Sequence, residues 1–198
     1  MRPRPYLSYS QMILVEKNPE AYLDVYLHGK KIPINRGMAL GRDIAEALES
    51  NIATGDPVKD IVMAQLPKYA LMDKPIEAIL GTGKSKIPLL AKPDTCMKDY
   101  SAFREYKTGL GPWNQEKADS WPQITFYAVV LYLITGKIPE AELVWMKTEK
   151  DEIGQPVFSH AEPKIFKTQR AMRDILLMQV RMRKAWQKIG EICDKELL

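Results

Sequence analysis

The segment at residues 120–135 constrains the fold of this chain more than any other. Drawn as a helix, it carries apolar side chains on nearly every side, and residues 126–134 form the longest uninterrupted apolar run in the sequence. That run is about half as long as a membrane-spanning helix needs to be. A helix that is apolar all round is stable only when other elements cover it. The sequence therefore predicts a buried helix, opened near Pro122 and closed by Gly136, that packs against a sheet.

Strand patterns on both sides of this helix supply the predicted sheet. Apolar or alternating segments bounded by turn residues are typical of strands, and they occur at residues 74–80, 86–95, 102–108 and 141–147. A weaker pattern lies at residues 156–166. Residues 110–119 are polar and predict an ordered loop between the third strand and the buried helix.

Helical patterns occupy both ends of the chain. Residues 8–29 predict two short helices that meet at Pro19, with Ser8 or Ser10 as the first cap. Residues 36–49 carry an apolar stripe of Leu40, Ile44 and Leu48, and residues 57–66 predict a further helix. A long helix at about residues 168–196 ends the chain. Its predicted core stripe is Met172, Ile175, Leu176, Gln179, Met182, Trp186, Ile189 and Cys193.

Composition limits the class of protein. With 198 residues, 45% of them apolar, the chain has material for one domain with its own core. We therefore expect a single domain over residues 1–198, of the α/β (α+β) class, with a central mixed β-sheet flanked by helices. The two cysteines are too few for a four-cysteine zinc or iron–sulfur site, and the two histidines offer little material for histidine catalysis. No segment predicts a membrane span or a signal peptide, so we expect a cytoplasmic protein.

The positive charge of the chain is concentrated near its C-terminal end. The net charge is +4, yet residues 164–188 alone carry +7, with Asp174 as their one acid, which leaves −3 for the remainder. A basic segment of this kind is typical either of a surface that follows a phosphate backbone or of a solvated helix face. Both interpretations are open from the sequence.

Three ionisable residues are predicted to converge where the second strand meets the third. In a strand over residues 101–108, Glu105 and Lys107 share one face and Tyr106 points to the other. A hairpin through residues 99–101 brings Asp94 beside Glu105. Two carboxylates next to a lysine predict a site for a divalent cation such as Mg²⁺, because hard cations bind carboxylates, water and phosphate oxygens.

Two neighbouring helices add polar residues to this region. Glu46 and Glu49 lie three residues apart on the predicted helix at residues 36–49, where they either face solvent or approach the site. Gln123 and Tyr127 lie one turn apart on the buried helix. Trp113 and Trp121 flank the site in sequence, either as base-stacking residues or as core aromatics.

This ordered set of motifs resembles the PD-(D/E)XK nucleases. It comprises an acid-bearing helix, Asp94, the Glu105-Tyr106-Lys107-Thr108-Gly109 strand and the Gln-x-x-x-Tyr element at Gln123 and Tyr127. The set is most similar to the RecB-like exonuclease branch, and within it to small phage-encoded members. The resemblance covers residues 8–147 and implies a restriction-endonuclease-like core with N-terminal helices and a long C-terminal helix.

The resemblance also implies roles for these residues. Asp94 and Glu105 would bind Mg²⁺ or Mn²⁺, helped by Glu49 and the carbonyl of Tyr106, and Lys107 would assist the attacking water. Gln123 and Tyr127 would line the site and contact DNA. Glu49 is favoured as the helix acid, although spacing does not separate it from Glu46. In the basic segment, the predicted phosphate contacts are Arg181, Arg183 and Lys184.

The sequence departs from the family pattern at two positions. The helical motif Gly-x-x-x-His becomes Gly41 followed by Ala45, so the histidine that many relatives use as a metal ligand is absent. The Ser8-x-Ser10 start is retained, whereas the Cys-Pro that often follows it becomes Asn18-Pro19. Without further cysteines, the iron–sulfur cluster of some relatives is excluded.

The implied activity is metal-dependent hydrolysis of DNA by an exonuclease in phage recombination or DNA processing, within the host cytoplasm. DNA binding would be independent of sequence, and either a homo-oligomer or a recombination partner protein remains open. A catalytically inactive DNA-binding or structural protein with the nuclease fold is the alternative, and Ala45 favours it. The intact Asp94, Glu105 and Lys107 favour the enzyme.

Overall fold

The computed structural model describes residues 2–33, 36–50, 55, 60, 63–64, 66, 71–72, 74–159 and 161–196, without the side chains of residues 45, 47–50 and 71–72. The chain begins with a two-residue strand, β1 (Leu7–Ser8), and the helices α1 (Tyr9–Lys17) and α2 (Pro19–Tyr22). The α2 helix continues as a π-helical turn over Leu23–Leu27. The helix α3 (Arg36–Ser50) follows.

The middle of the chain forms strands and two helices. The strands are β2 (Leu71–Met72), β3 (Ile76–Leu80), β4 (Ile87–Ala91), β5 (Thr95–Cys96) and β6 (Ala102–Gly109). Helices α4 (Gln115–Ser120) and α5 (Pro122–Thr135) come next. The chain ends with β7 (Glu140–Lys150), β8 (Pro156–Phe158), β9 (Lys164–Gln169) and the long helix α6 (Met172–Glu196).

The described strands form two sheets. The larger has the order β2-β5-β6-β7-β8, with β9 also paired to β7, and the smaller has the order β1-β4-β3. Strands β6 and β7 are parallel over their full pairing, from Ala102 opposite Glu140 to Gly109 opposite Lys147, while β5 and β9 are antiparallel to their neighbours. This mixed sheet with flanking helices and a long C-terminal helix confirms the predicted fold class.

Helix α5 lies at the centre of the core, as its all-round apolar surface predicts. Its residues from Ile124 to Leu131 are all buried, and all of them except Thr125 share one apolar cluster with α1, β3, β4 and α6. The side of β6 that carries Phe103 packs against this cluster. Gly136 ends α5 in the left-handed conformation (φ 70°), which glycine adopts without strain.

The N-caps of α1 and α2 are residue types that commonly cap helices. Ser8 caps α1 by accepting a hydrogen bond from the backbone N–H of Gln11, and Asn18 caps α2 in the same way through Ala21. The predicted helix at residues 36–49 is confirmed as α3. The predicted helix at residues 57–66 lies mostly outside the described residues.

Four predictions about elements were wrong. The predicted loop at residues 110–119 contains α4, capped by Asn114. The strand predicted at 86–95 is divided into β4 and β5, and Asp94 lies in the bend between them. The strand predicted at 156–166 is two strands, because the described residues between β8 and β9 belong to neither of them. The last helix begins at Met172 because Thr168 belongs to β9.

The predicted core stripe of the last helix is also partly wrong. Ile175, Met182, Ile189 and Cys193 are buried as predicted, whereas Met172 and Leu176 are exposed. Met178 and Ala185 complete the buried stripe instead, since they lie on the side of α6 that faces α5 and α1.

Candidate active site

The side chains of strand β6 point alternately to its two sides. Glu105 and Lys107 lie on the side that faces α5, as the contact of Lys107 with Gln123 shows. Tyr106 lies on the other side, in an apolar cluster with Leu40 and Ile44 of α3. The alternation predicted for this strand is therefore confirmed.

Asp94 reaches the same place from the neighbouring strand. The antiparallel pairing of β5 and β6 sets Thr95 opposite Arg104. Asp94 precedes Thr95 and Glu105 follows Arg104, so Asp94 lies beside Glu105. The Asp94 Oδ2 atom accepts a hydrogen bond of 2.6 Å from the backbone N–H of Tyr106. The hairpin thus brings Asp94, Glu105 and Lys107 together, as predicted from the sequence.

A chain of hydrogen bonds connects Lys107 to helix α5. The Lys107 ammonium donates to Glu105 Oε1 at 2.6 Å and to Gln123 Oε1 at 2.8 Å. The Gln123 side-chain amide in turn donates to the Tyr127 hydroxyl at 3.0 Å. Gln123 and Tyr127 therefore belong to the same cluster as the acids, with Gln123 bound directly to Lys107 and Tyr127 bound to Gln123.

The surroundings shift the pKa values of two of these groups. Burial lowers the pKa of Lys107, but the charge and hydrogen bond of Glu105, together with the charge of Asp94, outweigh it and raise the pKa above its ordinary value. Burial also raises the pKa of Tyr127, and the charge of Glu105 adds to this effect. At neutral pH, Lys107 is therefore a cation and Tyr127 a neutral hydroxyl.

One oxygen of Glu105 has unused bonding capacity. Glu105 is 3% exposed, and its Oε2 atom is buried without a hydrogen-bond partner in the described part of the protein. A buried carboxylate oxygen in this state costs free energy unless a donor or a cation satisfies it. Glu105 borders a cavity of about 420 Å³, whose lining includes Asp94, Tyr106, Lys107 and, from α3, Gly41. Carboxylate oxygens beside a cavity of this size fit a hard divalent cation.

Helix α3 closes the cavity by approaching β6 closely at Gly41. A Cβ atom at this position would lie 3.3 Å from the Thr108 hydroxyl, so a larger residue would need the Thr108 side chain to shift. Glu46 is turned to solvent and lies 3.6 Å from Arg42, in an ion pair. The side chains of Glu49 and Ala45 lie outside the described residues, so Glu49 stays a predicted ligand. The described residues contain no group of three His, Cys, Asp or Glu that could hold a metal.

A second cavity, of about 290 Å³, is lined by Gln123 and Tyr127. Its wall includes Arg4, Tyr6 and Lys92, and the Ser8-Tyr9-Ser10-Gln11 segment at the start of α1. Tyr9 and Gln11 were not identified from the sequence as site residues, although the Ser8-x-Ser10 motif marked their position.

Tyr9 lies within the electrostatic reach of the main cluster. Burial raises the pKa of Tyr9, while the charges of Arg181 and Lys107 oppose the shift. Its ring packs edge-on against Phe126 of α5, with ring centroids 6.0 Å apart. Tyr9 therefore connects the second cavity to the Lys107 cluster.

The predicted phosphate contacts differ in their surroundings. Arg181 forms a two-pronged ion pair with Glu16 of α1, with its Nε atom 2.7 Å from Glu16 Oε1, so its charge is already compensated. Arg183 and Lys184 are exposed on α6, and neither lines the cavity that contains Asp94 and Glu105. The structure does not bring these two residues into the cluster.

One cation of the basic segment is a core residue. Arg170 is 5% exposed and donates to the Thr125 and Thr168 hydroxyls and to the carbonyls of Ala118 and Trp121. It therefore fixes the junction between α4 and α5, from which Gln123 projects. Nothing in the charge pattern distinguishes this arginine from its exposed neighbours.

The aromatic residues near the site are partly buried. Trp113 and Trp121 contact each other edge-on at 4.9 Å between centroids and pack on the cluster of Ala118, Leu143 and Trp145. The Lys117 ammonium covers the Trp113 ring at 4.1 Å. These contacts favour the core interpretation of the two tryptophans over base stacking.

Comparison with solved structures identifies the fold. A candidate exonuclease from Eubacterium rectale matches over 97% of this chain and 82% of its own, with a TM-score of 0.62 and 11% identity. An alkaline exonuclease from Laribacter hongkongensis matches over 97% and 92%, with a TM-score of 0.52 and 13% identity. The same enzyme in complex with dAMP gives a TM-score of 0.55 over 96% and 91%, at 14% identity. The chain therefore has the fold of these exonuclease structures.

Sequence comparisons add no family assignment. No protein-family model and no curated protein matches the sequence. Among the helices of the described residues, none is both long and apolar enough to cross a membrane.

Proposed function

We propose that this protein is a divalent-metal-dependent deoxyribonuclease that acts as an exonuclease. The observation that carries the proposal is the cluster of Asp94, Glu105 and Lys107 at a cavity, in which a buried Glu105 oxygen has no partner among the described residues. The fold it shares with a candidate exonuclease and an alkaline exonuclease supports the same activity.

Asp94 and Glu105 are the proposed metal ligands, with the Tyr106 carbonyl and the Glu49 carboxylate completing the set. When bound, Mg²⁺ or Mn²⁺ would polarise the scissile phosphate and lower the pKa of a coordinated water. The ligand types are those that these two cations prefer. No cysteine cluster competes for this role, and we propose no iron–sulfur centre.

Lys107 acts as a hydrogen-bond donor rather than as a base in this proposal. Its pKa lies above the ordinary lysine value, so the ammonium holds its proton at neutral pH. Glu105 and Gln123 fix the ammonium from two sides, at 2.6 and 2.8 Å. A fixed cation at this position stabilises negative charge that develops on the phosphate and orients the attacking water.

Gln123 and Tyr127 are the proposed contacts to the DNA strand near the reaction centre, since they line the second cavity and Gln123 is hydrogen-bonded to Lys107. Arg183 and Lys184 are proposed to attract the phosphate backbone from a distance, without dependence on sequence. Because Arg181 is bound to Glu16, its contribution to DNA binding should be smaller. A role in phage recombination, in the host cytoplasm, extends this proposal from the sequence resemblance.

The test uses end-labelled linear duplex DNA with Mg²⁺ or Mn²⁺. The expected result is metal-dependent release of nucleotides that Lys107→Ala and Asp94→Ala both abolish, with the variants still folded. Glu142→Gln is the matched control, because Glu142 is a partly buried, ion-paired carboxylate of the same sheet that lies outside the catalytic cavity. Linear and covalently closed circular substrates distinguish exonuclease from endonuclease action.

One feature favours a second function. Ala45 replaces the motif histidine, so the protein has fewer metal ligands than its sequence resemblance calls for. A DNA-binding protein that has lost catalysis would bind the same duplex without releasing nucleotides at any metal concentration. Binding without cleavage by the wild-type protein would therefore replace the nuclease proposal with this one.

The contribution of the basic helix is tested by its salt dependence. Replacing Arg183 and Lys184 with Gln should weaken duplex binding and reduce the slope of log K against log salt by about 1 for each phosphate that is no longer neutralised. Arg181→Gln should change the slope less. An unchanged slope in the double variant would assign these residues to the solvated surface.

A further inference from the structure

One side of helix α6 packs against the core. Its buried residues recur at spacings of three and four and face α5 and α1. They are Ile175, Met178, Met182, Ala185, Ile189 and Cys193. An amphipathic helix of this kind is expected to be polar on its opposite side.

The opposite side is mainly polar in the second half of the helix. There Gln187 and Glu191 are exposed and bonded to each other at 2.8 Å. In the first half, four large apolar side chains face solvent within residues 172–180. They are Met172, Leu176, Leu177 and Val180, exposed by 43%, 55%, 58% and 51%. A helix that is apolar on both sides is typical of one covered on both sides.

Positive charge surrounds these apolar residues. Arg173, Arg183 and Lys184 are exposed, and none of them forms an ion pair with a residue that the structure describes. Asp174 is the one acid of residues 172–188, and its carboxylate accepts a hydrogen bond from the Ala171 backbone N–H. Beside Leu177, a depression of about 240 Å³ extends to Pro122 at the start of α5.

We propose that this surface is a docking site for an acidic amphipathic helix of another protein. We call it the outer face of α6 and define it by Met172, Arg173, Leu176, Leu177, Val180, Arg183 and Lys184. The row of Met172, Leu176 and Val180 at a spacing of four, with Leu177 beside it, suits the apolar stripe of a second helix. Three cations around them suit a partner whose flanking residues are carboxylates.

The four apolar side chains argue against DNA as the occupant of the whole outer face, although Arg183 and Lys184 within it are also the proposed phosphate contacts. A phosphate backbone gains from cations and polar groups, whereas four exposed apolar side chains contribute nothing to its binding. The inference does not depend on the nuclease proposal, because the surface shares no residue with the Asp94 and Glu105 cavity.

The test measures binding of the full chain to a fluorescein-labelled peptide of about eighteen residues, with Leu at helical spacing and Glu elsewhere. A scrambled peptide of the same composition is the comparison probe. Leu176→Ser combined with Val180→Ser should weaken binding of the ordered peptide at least about 10-fold. Gln187→Ser combined with Glu191→Ser, on the polar half of the same side, is the matched control and should leave binding unchanged. Thermal unfolding verifies that each variant is folded.

The result expected is tight binding of the ordered peptide alone, abolished in the Leu176 and Val180 variant. Equal binding of the two peptides, or no effect of that variant, would overturn the proposal. Sedimentation that shows self-association of the wild type, absent in the same variant, would instead assign the face to a second copy. A matching loss of affinity for duplex DNA would assign it to nucleic acid.

Discussion

The two carboxylate oxygens of Glu105 lie in different environments. Its Oε1 atom is bound to the Lys107 ammonium, while its Oε2 atom is buried and has no partner in the described part of the chain. The first interaction fixes the orientation of the side chain, and the second leaves an acceptor for a cation. Glu105→Gln preserves shape but removes the charge, so we expect Mn²⁺ affinity to fall at least about 10-fold. Isothermal titration with Mn²⁺ in the absence of DNA measures it.

The control for this variant is Glu142→Gln, which also removes a partly buried carboxylate from an ion pair. Its affinity for Mn²⁺ should equal that of the wild type. If Glu105→Gln bound Mn²⁺ as tightly as the control, Glu105 would not be a ligand.

Arg170 leads to a prediction about stability. Its guanidinium donates four hydrogen bonds in the core, so Arg170→Met leaves two hydroxyls and two carbonyls without their donor. We expect the free energy of unfolding to fall by about 2–4 kcal/mol, measured by urea denaturation. Arg173→Met removes an exposed arginine three residues later and should change it by less than about 0.5 kcal/mol. Equal effects of the two substitutions would contradict the structural role of Arg170.

Arg170 and Arg173 also show what could not be predicted from the sequence. Arg170 and Arg173 belong to the same basic segment, and the charges of their sequence neighbours do not distinguish them. Their difference depends on Thr125, Ala118 and Trp121, which lie 45 to 52 residues away in the chain. Asp94, Glu105 and Lys107 were predictable because one hairpin brings them together within fourteen residues.

At the scale of elements, α3 approaches β6 closely at Gly41. Gly41 allows the helix to approach β6 until a Cβ atom would lie 3.3 Å from the Thr108 hydroxyl. Gly41→Val places a branched side chain in this contact. We expect it to destabilise the protein by about 1–3 kcal/mol and to weaken Mn²⁺ binding, because α3 borders the cavity with Asp94 and Glu105.

Arg42→Val is the control for the helix propensity of valine, since Arg42 is exposed on the same helix. It should change the denaturation midpoint only slightly. The close approach of α3 is not a determinant of the site if Gly41→Val leaves both the midpoint and the Mn²⁺ affinity at their wild-type values.

Elements with strong periodicity were predicted well, and short polar ones were not. Helix α5 follows from an apolar run that only a core helix can accommodate. Helix α4 has six residues, and its cap at Asn114 is a weak signal within a polar segment. The break between β4 and β5 was missed although it contains Pro93, which disfavours the interior of a strand, and Asp94, a residue common in turns. This break positions Asp94.

At the scale of the whole molecule, the core surrounds α5, and the cluster of ionisable groups lies where β6 meets it. Contacts between residues that are far apart in the sequence determine this arrangement. Glu16 and Arg181 are 165 residues apart and join the first helix to the last. Such a pairing could not be inferred from one sequence, because any of the many acids was an equally suitable partner for Arg181.

Several buried groups of this core hold their protons more tightly than in the unfolded chain. Burial raises the pKa of Tyr22 and Tyr127, and Glu105 raises that of Lys107 against the effect of burial. As the pH rises above about 10, these groups lose protons in the unfolded state first. The unfolded state is then favoured, so the stability present below this pH is lost as the pH rises towards the folded-state pKa values.

The prediction is that the free energy of unfolding decreases above pH 10, by up to about 1.4 kcal/mol per pH unit for each such group. Tyr127→Phe removes one of them and should make the decrease less steep by up to that amount, and Tyr22→Phe should do the same. Urea denaturation at intervals between pH 8 and pH 11 measures the slope. Both variants lose a hydroxyl that is hydrogen-bonded at neutral pH, so the comparison is between slopes and not between absolute stabilities. A slope in Tyr127→Phe equal to that of the wild type would show that the Tyr127 hydroxyl is not held protonated by the folded protein.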